Sequence, residues 1–344
     1  FIKNIYNDME NFKYLDIDAL KYNLSCYSSK NICLMVKANA YGHGIEEIVK
    51  FSSKYVEAFG VVNIKEALKV RALTKKRIII FAPVVDFKLC REFNIEFMIE
   101  NEDDLRKAIK NDCSHLLHLA INTGMNRFGT KSEIVLKSIN NILNANNIVL
   151  NSIYTHFSDT EDIHRTKKQY NKFCALRNLI KQKAPVCFGG SRIYGYNFNF
   201  DMLRLGIGAY GYEQNKLKVM TISSHIIKKF YSKKGEYIGY GKKYQVRKNS
   251  FFGVVQIGYA DGLTRALSQK FTVIINGKKY KSVGNICMDA FFVKIDESVN
   301  VGDEVVVLRD ASYLAKKAKT ITYEILTNFS NLRGTVKKIT SNKK

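Results

Sequence analysis

The sequence predicts an α/β chain: an N-terminal (β/α)8 TIM-type barrel over residues 11–215, followed by a C-terminal, mainly antiparallel β domain over residues 216–344. Three observations predict it. Short apolar, β-branched runs recur eight times between Ile32 and Ile207, amphipathic helical stretches separate them, and from about Lys218 the helices give way to strands joined by turns. A chain of 344 residues, 46% of them hydrophobic, is long enough for one barrel plus an appendage, since domains run to roughly 100–200 residues.

The eight barrel strands are read in order as "ICLMV" (32–36), "AFGVV" (58–62), "RIIIF" (77–81), "IEFMI" (95–99), "LLHLAI" (116–121), "IVLNSIY" (148–154), "PVCF" (185–188) and "MLRLGI" (202–207). They are apolar without alternation, the pattern of strands buried on both faces. Between them lie "GIEEIVKFSSKY", "NIKEALKVRALT", "NEDDLRKAIKN", "SEIVLKSINNILN" and "DIHRTKKQYNKFCALRNLIKQK", with apolar residues at helical spacing. The second half reads as strands "VMTISSHIIKKF", "EYIGYG", "SFFGVVQIGYA", "FTVIINGKKYKSVG", "AFFVKI" and "DEVVVL", with turns such as "INGKK" and "SVNVGDE" and a short helical tail, "SYLAKKAK" and "TYEILTNF".

Composition narrows the function classes. The formal charge of +24 invites a polyanion partner, yet the lysines are scattered, densest in "KKYQVRK", "GKKYK" and "VKKITSNKK", with no basic helix, zinc pattern or aromatic platform. The charge reads first as a solvated surface, with no nucleic-acid partner expected; a polyanion-binding protein is the rival reading from another class. Seven cysteines without a Cys-x-x-Cys pair fit reduced thiols better than disulfides or zinc. His115 and His118 sit three apart in a strand-like run, on opposite faces, so no metal site is expected. The opening "FIKNIYNDMENF" lacks a signal-length apolar run and no segment reaches the ~20 apolar residues of a span, so the expected location is cytoplasmic, without membrane association.

The chemistry is read from "MVKANAYGHG", residues 35–44, which sets Lys37 directly behind the first barrel strand. A lysine there either packs its stem and leaves its ammonium in water, or sits partly desolvated as a nucleophile toward a carbonyl. Barrel active sites lie at the carboxyl ends of the strands, often with a phosphate near strands seven and eight. Two glycine-bearing turns fall there: "GGS", at Gly189, Gly190 and Ser191, and "GIGAYG", at 206–211. A lysine across the mouth from them implies a phosphate-bearing aldehyde cofactor, with pyridoxal 5'-phosphate the candidate.

The ordered set "MVKANAYGHG", "INTGMNRFG", "THFSDTED", "MLRLGIGAYG", "IGYADGLTRALS" and "VGNICMDAFFV" closely resembles the alanine racemases, over nearly the whole chain. The resemblance implies pyridoxal-phosphate-dependent interconversion of L- and D-alanine by two bases, supplying D-alanine for peptidoglycan. It makes Lys37 the lysine bonded to the cofactor and the base for D-alanine, and Tyr259 the base for L-alanine. Tyr41, Ser191, Gly206 and Ile207 match phosphate-binding positions. Arg204 matches the arginine facing the pyridine nitrogen, and His156, behind the tyrosine, is counted with the cofactor-binding residues. Arg127 matches the arginine that reaches the cofactor's phenolic oxygen and the substrate carboxylate. Tyr259 and Met288 are implied to reach in from a partner subunit, which makes the expected assembly a homodimer with shared sites.

Three positions depart from the family pattern. Ala120 stands where many members carry a carbamylated lysine, Cys187 where a histidine often bonds the strand-eight arginine, and a tyrosine near the tail is replaced around Asn331. The nearer rivals are a broad-specificity amino-acid racemase of the same fold and a related decarboxylase. Arg204 argues against the decarboxylase, which is expected to place a carboxylate at the ring nitrogen.

Overall fold

A computed structural model describes residues 10–340. Residues 1–9, most of the opening stretch read as lacking a signal segment, and the last four residues of the closing lysine-rich stretch lie outside them. The first described strand is β1 (Asn11–Asp16). The barrel follows as β2 (Asn31–Met35), β3 (Ala58–Val61), β4 (Arg77–Ile80), β5 (Glu96–Ile99), β6 (Leu117–Ala120), β7 (Ser152–His156), β8 (Val186–Gly189) and β9 (Met202–Leu205). All neighbours are parallel, and β9 pairs back onto β2 to close the ring.

The predicted runs land on these strands, with one displacement. The run at 148–154 starts before its strand because Ile148 and Leu150 are buried while the backbone is still turning, and β7 begins at Ser152. The intervening helices start where side chains cap them: Asn63, Asn101, Ser132 and Asp162 each accept a backbone N–H of the first turn. At the amino end of the barrel, Arg77 makes a two-pronged ion pair to Glu96, whose second oxygen also meets the buried His118 at 2.8 Å. His118 is thus a core residue, its other ring nitrogen 2.6 Å from the Ser152 hydroxyl.

The second unit comprises β10 (Met220–Ser232), β11 (Ser250–Val255), β12 (Thr272–Ile275), β13 (Lys278–Val283), β14 (Phe291–Ile295), β15 (Glu304–Leu308) and β16 (Gly334–Ile339). The long β10 pairs with β15 along its first half and with β11 along its second, which carries the antiparallel strands round a closed loop. The "ING" turn between β12 and β13 takes positive φ at Asn276 (48°) and Gly277 (76°), the geometry a tight two-residue hairpin demands. The helical tail is present as Ala311–Ala318 and Thr322–Asn328.

The run "EYIGYG" (236–241), read as a strand, is instead irregular: Tyr237 makes only an isolated bridge to Gln245, and positive φ at Gly239 and Gly241 turns the chain into the short 3-10 turn Tyr240–Lys242. Two strands were not legible in the hydrophobic pattern. β1 and β16 lie side by side and parallel on the edge of this sheet, β1 bonded antiparallel to β10. Residues 11–16 precede the barrel in sequence yet belong to the β domain's sheet, so the two units share a seam at both ends of the chain. Ile207, just after β9, is buried in the core of the β domain, while Leu205 is buried in that of the barrel. The seam therefore runs under the carboxyl end of the barrel, where the candidate site lies.

Candidate active site

Lys37 follows β2, and the backbone after it does something unusual. Ala38, Asn39, Ala40 and Tyr41 all take left-handed φ values, between 51° and 54°, and Gly42 closes the turn at 81°. Left-handed conformation costs non-glycine residues roughly 1–2 kcal/mol each, so the surroundings must hold the turn in place. Glu66 accepts the Ala38 N–H at 2.8 Å, and the Asn39 side chain accepts the Ile45 N–H at 2.8 Å. Gly42 has no substitute: a Cβ there would stand 2.0 Å from the Leu326 carbonyl oxygen of the β domain.

The turn presents Lys37 to a cationic mouth. Burial and the charges of Arg127 and Arg204 lower the Lys37 pKa, against an opposing pull from Glu66. Arg204, on β9 and only 5% exposed, has its guanidinium over the rings of Tyr154 and Phe81, 4.5 and 4.7 Å from their centroids. Its Nη2 donates to the Thr155 carbonyl at 2.7 Å and lies 3.3 Å from His156 Nδ1, while Nη1 is 3.8 Å from Cys187 Sγ. Burial first, then Arg204, Arg127 and Lys37, push the His156 pKa down to about 3, so its ring is neutral and Nδ1 accepts from the arginine. The thiol at 187 is a weak partner, and a backbone carbonyl carries the stronger contact.

The floor is made of glycines that side chains overhang. A Cβ at Gly206 would stand 2.6 Å from the Tyr41 hydroxyl; at Gly208, 2.6 Å from the Tyr27 hydroxyl and 2.7 Å from Ser191 Oγ; at Gly189, 2.6 Å from both Arg204 Nη2 and His156 Nδ1. Ser191 Oγ accepts the Gly208 N–H at 2.9 Å. A cleft of about 600 Å³ runs outward past Ser191 and Tyr27 toward Tyr212 and Glu213. The Tyr41 ring also packs 5.8 Å from Tyr323 of the β domain. Lys37, Tyr41, His156, Ser191, Arg204, Gly206 and Ile207 are thus gathered at one end of the barrel.

Arg127 stands on the loop after β6, its charge felt at Lys37 and His156. That loop bridges back to the barrel through Ile121 and Thr130, and its Gly129 N–H donates to Glu100, at the end of β5. Ala120 is buried, its carbonyl accepting the Thr130 N–H, and Asn331 is exposed.

Tyr259 and Met288 are placed differently. They are 41% and 54% exposed on the β domain, and among the described residues neither hydrogen-bonds the barrel-mouth group. They sit together because the Tyr259 and Ala260 N–H groups donate to the Cys287 and Met288 carbonyls at 3.1 and 3.0 Å. Behind them, Asp261 is buried and accepts from Gly258 N at 3.0 Å and from Arg333 at 2.8 and 2.9 Å.

Glu66, Glu100, Tyr27, Tyr323, Asp261 and Arg333 were not picked out from the sequence. The one local signal was "YADG", an acidic residue two positions after the tyrosine. The others act across long sequence separations.

Two family models match the chain, the alanine racemase N-terminal domain over residues 15–214 and the alanine racemase C-terminal domain over residues 219–337. An alanine racemase of Francisella philomiragia subsp. philomiragia is 32% identical over 333 residues, covering 87% of this chain and 91% of that protein. The alanine racemase structure from E. faecalis superposes with a TM-score of 0.89 at 27% identity, covering 96% of this chain and 98% of that one. The structure of the Bacillus anthracis alanine racemase with bound L-Ala-P gives 0.89 at 25% identity, covering 97% and 96%. The fold and both halves of the sequence agree, and the chain belongs to the alanine racemase family.

Proposed function

We propose that the chain interconverts L- and D-alanine with pyridoxal 5'-phosphate, by a two-base mechanism in a homodimer whose sites are shared between subunits, and that it supplies D-alanine for peptidoglycan from the cytoplasm. The observation that carries the reading is the pairing of a pKa-lowered lysine over a glycine-floored, cationic mouth with a tyrosine left exposed on a second domain. All seven cysteines are free, which suits a reducing compartment.

The residues fit the cofactor. Arg127 and Arg204 put two fixed positive charges beside Lys37 at the mouth, which suits an anionic ligand and a substrate carboxylate. The glycines at 189, 206 and 208 leave room that any Cβ would fill. Bound pyridoxal phosphate supplies acidification of the amino acid's α C–H bond, by accepting the electron pair left behind.

Tyr41 and Ser191 would hold the phosphate beside the backbone of Gly206 and Ile207. Arg204, which carries N–H donors and no proton acceptor, would face the ring nitrogen, and so would limit the lifetime of negative charge on the substrate and suppress side reactions. His156, neutral, orients that arginine. Arg127 takes the substrate carboxylate. Lys37, its pKa lowered by burial and two arginines, has a free-amine fraction near neutral pH larger than an ordinary lysine's, so it can take the α-proton from one face. Tyr259, reaching with Met288 into the neighbouring subunit's site, serves the opposite face.

The test is L-alanine in deuterated water with cofactor-loaded protein, following α-proton loss and D-alanine by chiral separation, alongside Lys37→Ala and Tyr259→Phe. D-alanine formation lost in both variants supports the reading. Racemisation of serine or a longer amino acid but not alanine would overturn the substrate, and no exchange at all would overturn the reaction. Sedimentation of the loaded protein as a monomer at assay concentration would remove the shared site.

A further inference from the structure

Lys13 is a charged residue where the pattern of β1 calls for an apolar one. The strand buries alternate side chains, Asn11, Lys13 and Leu15, and Lys13 is 4% exposed. Its ammonium donates to the Gly42 carbonyl at 2.6 Å and to the Phe329 carbonyl at 3.0 Å. Among the described residues no carboxylate pairs with it, so two backbone dipoles hold the charge. Burial lowers its pKa to about 8, which leaves it protonated at neutral pH.

Both carbonyls have a place in the site. Gly42 ends the left-handed turn that starts at Lys37, and Phe329 opens the short 3-10 turn Phe329–Asn331 that leads to Arg333, the partner of Asp261 beneath Tyr259. The same segment abuts both turns directly: the Leu326 carbonyl lies against Gly42, and the Asn328 carbonyl would meet a Cβ at Gly262 at 2.4 Å. Glu66 grips the turn at its start, at Ala38. Its end is held by Lys13.

We propose that Lys13 is a positioning residue for Lys37: its ammonium clamps the end of the strained turn to the β domain and so sets the direction in which Lys37 meets the cofactor. The inference rests on the reading of Lys37 as the cofactor-binding lysine. A strained segment relaxes when one of its grips is removed, and an uncompensated carbonyl at Gly42 favours relaxation. Lys13→Met keeps the stem and removes the donors.

The test uses the full-length protein with added pyridoxal phosphate. In Lys13→Met the cofactor's dissociation constant should rise at least tenfold, and the fraction fixed to Lys37 by borohydride, located by peptide mass, should fall. With saturating cofactor, kcat should drop while KM for alanine stays within twofold. Lys13→Arg, which keeps donors, should recover most of the loading. A folded Lys13→Met that binds and fixes cofactor within twofold of wild type overturns the proposal, whatever its melting temperature. Should Lys13→Met not fold, Lys13→Gln and Lys13→Arg carry the comparison, loading falling from Arg to Gln; equal loading overturns it. Wild-type protein that fixes no cofactor at Lys37 refutes the parent reading first and takes this one with it, whereas loading without racemisation refutes only the reaction.

Discussion

Removing the Arg333 guanidinium should disable the tyrosine without touching the lysine. Asp261 is 1% exposed and accepts from Arg333 Nε at 2.8 Å and Nη2 at 2.9 Å, as well as from Gly258 N at 3.0 Å. In Arg333→Met a buried carboxylate keeps only backbone donors. Hydrogen bonds to a charged group contribute about 1.5–3 kcal/mol each. The arginine side chain is 55% exposed, so solvent screening cuts the two together to about 2–3 kcal/mol. Arg333 also pairs with Asp289, but that contact is exposed on both sides and adds little. A loss of this size against a stability of roughly 5–15 kcal/mol leaves the chain folded. What loosens is the turn Gly258–Ala260 that aims Tyr259. The assay is urea unfolding together with cofactor fixation by borohydride and alanine racemisation. We expect a stability loss of about 2–3 kcal/mol, unchanged fixation at Lys37, and kcat lowered tenfold or more. Racemisation within twofold of wild type, or fixation lost in step with activity, would refute the reasoning.

Three further outcomes follow from the geometry. Gly42→Ala should abolish cofactor loading and lower the yield of folded protein, because φ is 81° and the new Cβ would stand 2.0 Å from the Leu326 oxygen; a soluble variant with normal visible absorbance after cofactor addition would contradict this. Glu100→Ala frees the Gly129 N–H and with it the Arg127 loop, so KM for alanine should rise several-fold with kcat nearly kept; an unchanged KM would show that the loop holds itself. Acid should destabilise the protein early: His43 and His156 have folded pKa values of about 3, depressed chiefly by burial, against about 6.5 unfolded. Their stabilisation is full above pH 6.5 and is lost as pH falls toward 3, at up to about 1.4 kcal/mol per pH unit for each ring. Unfolding free energy measured from pH 7 to pH 4 should fall accordingly, and a flat profile would refute the buried neutral state.

The barrel was legible because parallel strands covered on both faces are written as unbroken apolar runs. Only β7 was displaced, by buried residues in the turn before it. β1 and β16 escaped the same rule for opposite reasons. Lys13 interrupts the buried face of β1, and β16 is exposed along its whole length, so neither shows an apolar run. The hairpin at Asn276 and Gly277 was legible from two residues, because no other pair accepts positive φ so readily. Lys37 was legible as a lysine behind a core strand, but the left-handed turn after it was not: in Ala-Asn-Ala-Tyr only the asparagine takes that conformation at all readily, and the grips that impose it come from residues 13, 66 and 326.

The same distinction bears on the departures from the family pattern. Cys187 offers Arg204 only a weak sulfur acceptor at 3.8 Å, yet the guanidinium is held by the Thr155 carbonyl at 2.7 Å, a contact that no side-chain substitution removes. Ala120 brings no charge, but the neighbouring strand ends in Glu100, whose carboxylate takes the Gly129 N–H of the arginine loop. At both places a contact beside the altered position comes from the backbone or from the adjacent strand. A barrel makes this possible, because the ends of eight strands converge on one mouth and the same point can be reached from either neighbour. A missing side chain there is evidence of lost function only once both neighbouring strands have been checked.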